Sequence, residues 1–282
     1  MKKILVPIDF SDNSVNALDY AVKLARDIRG DLTLFNSYPI DVPMGVEFSS
    51  GIYMRTLHAE VKYDRETRLQ QLVDEYKDVC YRFSDEPIAM SIEVKDGPPT
   101  ESILNMAEEN GFELIIMGTK GATGLEEVLL GSITASVIEE SHVPVLAIPE
   151  GAQFSGLKKV VYATDFDAND VEVLDSIKEM ADVFGAEVTC LHINTQMELV
   201  EEKRQKMNVL KANTYPQASN VRFQILEGRG VESSLQQYIE QNHVDMVAVM
   251  PQKRGFISNL FHRSISKKLA YHTQIPLMVA KF

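Results

Sequence analysis

The residues best suited to chemistry lie between Gly118 and Thr134. Gly118 and Gly121 are separated by two residues, and nine residues later Gly131-Ser132 opens a helical pattern. Glycines at this spacing let the backbone approach a polyanion and take positive φ. A helix starting near Ser132 offers free N–H groups and the positive end of its dipole. Ser132 and Thr134 add hydroxyl donors, and Lys120 adds a mobile positive charge. The chemistry is that of a phosphate cradle. It is not a P-loop, since no G-x-x-x-x-G-K-[ST] occurs, nor the dinucleotide fingerprint, since the first strand–helix turn, PIDFSD, has no glycine. The same residues admit a plainer reading, in which Gly118, Gly121 and Gly124 form a flexible turn and Ser132 caps a helix.

Asp9 ends the first apolar run, and Ser11-Asp12-Asn13-Ser14 follows as an N-cap cluster. A carboxylate at a strand end accepts hydrogen bonds from a ribose hydroxyl or a base amine. It can equally cap the next helix, a role open to Ser11 and Asp12 as well. The six histidines show no H-E-x-x-H and no metal-ligand spacing. His192 falls at a strand end and reads as a core or rim residue. No G-x-S-x-G appears. Cys80 and Cys190 form no C-x-x-C and read as buried small residues.

The elements that position these groups occur twice. KKILVPIDF from Lys2 matches KKVVYATDF from Lys158, an offset of 156 that pairs Asp9 with Asp165 and Phe10 with Phe166. Later the offset is 132, where ELIIM from Glu113 meets DMVAV from Asp245 and VPVLA from Val143 meets IPLMV from Ile275. Repetition at both ends in the same order implies two copies of one domain, 1–150 and 157–282, joined near Glu150–Gly156. In the first copy the strand candidates are 4–8, 31–37, 88–94, 113–117 and 143–148. They are apolar throughout or nearly so, as strands covered on both faces are. Helical patterns span Ser14 to Arg29, 54–82, and Thr100 to Asn110 with Thr100 as N-cap. Tyr38 to Tyr53, rich in Pro and Gly, reads as a long loop. The second copy has no equivalent and runs into a polar helical stretch, Gln196 to Asn213. The expected fold is α/β: two repeated doubly wound domains, each a five-stranded parallel sheet of order 3-2-1-4-5 with helices on both faces. In that order Asp9 and the Gly118 loop face one crevice, where ligands of open α/β sheets sit.

Composition narrows the class. The chain has 282 residues and a net charge of −13, which disfavours nucleic acid as a partner. Residues 1–150 carry 13 Lys+Arg against 26 Asp+Glu, while the rest balances. No apolar run reaches the roughly 18 residues of a membrane span, and the two cysteines suit a reducing setting. A cytoplasmic location is expected.

The repeated unit resembles the universal stress protein family, and the chain resembles a tandem pair of such domains. The family's nucleotide pattern, G-2x-G-9x-G-[S/T], is matched without a gap by Gly118, Gly121, Gly131 and Ser132, and VPIDFSDNS, VKDGPPTESI, ELIIMGTKG and HVPVLAIP match other blocks. The resemblance implies ATP binding, with or without magnesium, with slow or absent hydrolysis, and pairing of domains through their last strands, within the chain and in a homodimer. Carried over, Asp9 and Ser37 contact adenine and ribose. Met117, Gly118, Lys120, Gly121, Gly131, Ser132, Ile133 and Thr134 line the base-to-phosphate path. The second copy departs from the pattern, with Met250, Lys253 and Arg263 in place of the three glycines, and is expected not to bind ATP in this way. Its basic loop, with Phe256, Ile257, Leu260 and Phe261 among Lys253, Arg254 and Arg263, either packs into its own crevice or docks an acidic partner. The expected function is a non-enzymatic, ATP-binding stress-response protein. The alternatives are a slow ATPase and an interaction module without nucleotide.

Overall fold

A computed structural model describes residues 2–39, 51–81, 87–119, 131–167, 170–195, 200–214, 220–250 and 275–281. In the first copy β1 (Lys3–Pro7), α1 (Asp12–Ile28), β2 (Asp31–Tyr38), α2 (Gly51–Tyr81) and β3 (Met90–Asp96) are followed by α3 (Pro99–Glu109), β4 (Leu114–Gly118), α4 (Ser132–Glu140) and β5 (Val145–Ile148). In the second, β6 (Lys159–Ala163), α5 (Asp170–Phe184), β7 (Glu187–Asn194), α6 (Val200–Thr214) and β8 (Val221–Glu227) precede α7 (Val231–Asn242), β9 (Met246–Val249) and β10 (Leu277–Val279).

All ten strands form one sheet, ordered β3-β2-β1-β4-β5-β10-β9-β6-β7-β8. Neighbours within each copy are parallel, as in β1–β2 and β1–β4 and in β6–β7 and β6–β9. The repeat extends to single hydrogen bonds. Glu113 N–H donates to Lys3 O and Asp245 N–H to Lys159 O, both at 2.9 Å. The last strands pair antiparallel, Val145 with Val279, Leu146 with Met278 and Ala147 with Leu277. Two apolar edges, each a liability if left open, thereby cover one another.

Strand alternation divides the core between the two faces. Ile4, Val6 and Ile8 join α1 and α2 residues such as Leu18 and Leu69 on one face. Leu5 joins Ile103, Val137 and Ile138 of α3 and α4 on the other. The expected α2 stripe is borne out, with Leu69 and Cys80 buried and Leu72, Val73 and Tyr76 packed beside them. Both cysteines are buried and free, and burial pushes their thiol pKa values up.

Two local expectations are corrected. Thr100 does not cap α3. Pro98 holds the N-cap position with Pro99 as the first helical residue and no side-chain cap bond. Proline's fixed φ already suits a first helical turn, so the helix starts earlier. The loop reading of Tyr38 to Tyr53 overshoots at both ends, because β2 runs through Tyr38 and α2 starts at Gly51; residues 40–50 lie outside the described residues.

The connection between the copies is anchored by Phe154. Its ring meets Tyr20 of α1 edge-on at 5.1 Å and Phe184 of α5 at 5.7 Å, and Lys2 pairs with Glu179 of α5 at 3.1 Å. Aromatic pairs of this kind contribute about 0.5–1.5 kcal/mol each beyond burial. Phe154→Ala is therefore expected to destabilise the chain by about 2 kcal/mol in denaturant unfolding. Tyr63→Ala, at an exposed position on α2, is expected to stay within about 0.5 kcal/mol. Equal stabilities for the two variants would remove Phe154 from this role.

Candidate nucleotide site

The strand order reverses between β1 and β4. α1 leaves β1 towards one face and α4 leaves the end of β4 towards the other. Asp9 stands just beyond β1. Ser11 donates both its N–H, at 3.0 Å, and its hydroxyl, at 2.6 Å, to Asp9 Oδ1. Ser11 also caps α1, its Oγ accepting from Ser14 N–H at 3.2 Å. The cap therefore belongs to Ser11, and Asp9 fixes the cap residue.

Gly118 ends β4 against the first turn of α1. A Cβ there would lie 2.8 Å from Asn13 O, so glycine is what allows α1 and β4 to meet at the crevice. The Gly131 N–H donates to Thr119 O at 2.5 Å. Gly131 is the N-cap of α4 and supplies no side-chain cap. The first turn of α4, Ser132, Ile133 and Thr134, thus opens at the end of β4. Helices α3 and α7 also start without a side-chain cap, but after the sheet's outermost strands rather than at an order reversal.

The structure gives the expected site residues different standing. Asp9, Gly118, Gly131, Ser132 and Ile133 gather around the ends of β1 and β4. Ser37 is half-buried on β2 beside Lys95 of β3. Met117 is buried in the core with Ile103 and Val137. The Thr134 hydroxyl is buried and donates to Gly118 O at 2.8 Å, so it ties α4 to β4 and is spent as a donor. Lys120, Gly121 and Gly124 lie outside the described residues, as do Lys253, Arg254, Phe256, Ile257, Leu260, Phe261 and Arg263.

Several contacts at the strand ends escaped the sequence reading. Phe10 and Phe166, 156 residues apart, both adopt left-handed φ, 64° and 59°. Asn36 donates Nδ2–H to Ile8 O at 2.7 Å. At the same register in the second copy, His192 Nδ1 lies 2.9 Å from Thr164 O. A carbonyl only accepts, so Nδ1 carries the hydrogen. The offset of 156 could have flagged this pair. On α2, Arg68 stacks on the Phe10 ring at 3.9 Å, with Arg65 at 5.4 Å.

The sequence profile described as the Universal stress protein family matches residues 1–149 and again 156–281. The chain belongs to the universal stress protein family. Two universal stress proteins of Methanocaldococcus jannaschii are similar to it. One is 33% identical over 154 residues, covering 52% of this chain and 94% of the relative. The other is 31% identical over 147 residues, covering 52% and 81%. A universal stress protein of Archaeoglobus fulgidus superposes along the length of this family member, with a TM-score of 0.72 at 19% identity, covering 99% of this chain and 98% of the other. Among the described residues no helix is long and apolar enough to cross a membrane.

The second crevice differs chemically. Lys203 of α6 donates to Asp165 Oδ1 at 3.1 Å and to Asp165 O at 3.2 Å. His192 Nδ1 lies 3.3 Å from the same carboxylate oxygen. Hydrogen bonding from His192, then from Lys203, holds the Asp165 pKa down at about 2 from 3.8, against the opposing effect of partial burial. Below this cluster Asp170 is buried and accepts from the Tyr162 hydroxyl at 2.6 Å, the Asp167 N–H at 2.7 Å and the Thr164 hydroxyl. Because the folded pKa of Asp165 is depressed, its stabilising contribution is complete above the unfolded value and disappears as pH falls through the folded one. Stability of the second copy is expected to decline between about pH 4 and pH 2. The decline should be weaker in Asp165→Asn, read by chemical shifts of β6 and β7 amides. An identical acid profile in both proteins would exclude this linkage.

Proposed function

We propose that residues 1–150 form a domain that binds one adenine nucleotide, ATP, alone or with magnesium, in the crevice between β1 and β4. The observation that carries this reading is the first turn of α4, which opens at the end of β4 without a side-chain cap. Its N–H groups and dipole suit a phosphate. Gly118 lets α1 approach β4 at the crevice, and Asp9 supplies a carboxylate at the end of β1 for a ribose hydroxyl or base amine. Among the described residues no three His, Cys, Asp or Glu side chains gather to hold a metal ion. Magnesium therefore enters this reading only as the counterion of the phosphates.

Residues 157–282 form the second domain and take no nucleotide in the same manner. Asp165, the counterpart of Asp9, is already bound by Lys203 and His192, and Met250 replaces Gly118 and packs against the core. The protein acts as a stress-response regulator whose state is set by an occupied first domain.

Mass spectrometry of ligand released from the purified chain identifies the nucleotide, and titration calorimetry counts it. One ATP per chain is expected, and two equivalent sites would refute the division of roles. Gly131→Arg places a side chain at the head of α4. It is expected to weaken ATP binding at least about tenfold, about 1.4 kcal/mol, in a protein that melts normally. Undiminished binding would show that the glycine pattern is only a turn.

A further inference from the structure

The helix between the second and third strands brings two basic residues, one turn apart, over the end of the first strand in each copy. In the second copy they are Lys203 and Lys206. Each meets a carboxylate, Asp165 at 3.1 Å and Asp167 at 3.5 Å, and Lys206 also meets Glu202. In the first copy they are Arg65 and Arg68, and both face Phe10. The position of Asp167 is taken there by Ser11, which is uncharged. Among the described residues neither arginine has a carboxylate partner, and Arg65 Nε is buried with no hydrogen-bond acceptor.

A guanidinium stacked on a ring uses its face and leaves its N–H edge unspent, since all five donors lie in its plane. Phe10 is itself pinned in left-handed backbone directly after Asp9, so the platform is fixed to the end of β1. Two cations over one ring, with one acid fewer than at the matching position 156 residues on, turn their N–H edges to an incoming anion. We propose that Arg65 and Arg68 bind phosphate groups at the carboxyl end of β1. The occupant is the phosphate chain of the nucleotide proposed above, on which this identification rests. The lysines of the second copy are the same device neutralised from within.

The test uses the full chain and three ligands, ATP, adenosine and inorganic pyrophosphate, titrated into wild type, Arg65→Gln/Arg68→Gln and Arg68→Lys. Thermal melting confirms that each variant folds. The double variant is expected to lose at least tenfold in ATP affinity with adenosine affinity unchanged, and Arg68→Lys to retain part of it. ATP binding unchanged in the double variant overturns the inference and leaves the nucleotide reading intact. Equal loss of ATP and adenosine overturns it in favour of a packing role. If wild type binds pyrophosphate but no adenine compound, and the double variant loses pyrophosphate, the anion site stands and the nucleotide reading falls. If wild type binds none of the three, both fall.

Discussion

The reversal of strand order between β1 and β4 is the constraint on which the rest of the first copy depends. A parallel strand connection returns right-handed. β2 lies on one side of β1 and β5 on the far side of β4, so α1 and α4 pack on opposite faces. Two helix starts, those of α1 and α4, then converge on the ends of β1 and β4. The described groups beside these strand ends are positioned by this geometry. Gly118 allows the close approach of α1, Ser11 caps it and engages Asp9, and the Thr134 hydroxyl holds α4 to the strand it follows.

The second copy has the same backbone plan and a different balance of side chains. Val6, Ile8 and Ser14 of the first copy correspond to Tyr162, Thr164 and Asp170, so two apolar side chains and a serine give way to a buried carboxylate and two of its three donors. Burying a carboxylate is costly unless its acceptors are filled, and here they are. Above it, Lys203 and His192 complete Asp165. Among the described residues, the two carboxylates of this crevice are thus met from within.

Much of this was legible in the sequence. Continuous runs such as ILVPI and ELIIM announced strands buried on both faces, the two offsets announced the repeat, and the family resemblance implied the pairing of the last strands. What remained hidden has a common cause. Asn36 on Ile8 O, Arg68 on Phe10 and Lys203 on Asp165 each join elements far apart in sequence, and their meeting depends on register and helix rotation rather than on spacing. Thr100 misled because a residue favoured at caps lies beside prolines that begin a helix by backbone geometry alone. Thr134 fitted the nucleotide pattern by type, yet its hydroxyl is consumed by the main chain.

The antiparallel seam between β5 and β10 sets the direction of everything on either side of it. Strands of the first copy all run one way and those of the second run the other, so their carboxyl ends emerge at opposite margins of the sheet. The two crevices therefore look away from each other. Among the described residues the two copies meet along the paired strands, through the Tyr20–Phe154–Phe184 contacts and through Lys2 and Glu179. The Asp9 and Asp165 carboxylates thus stand at opposite margins of one continuous sheet.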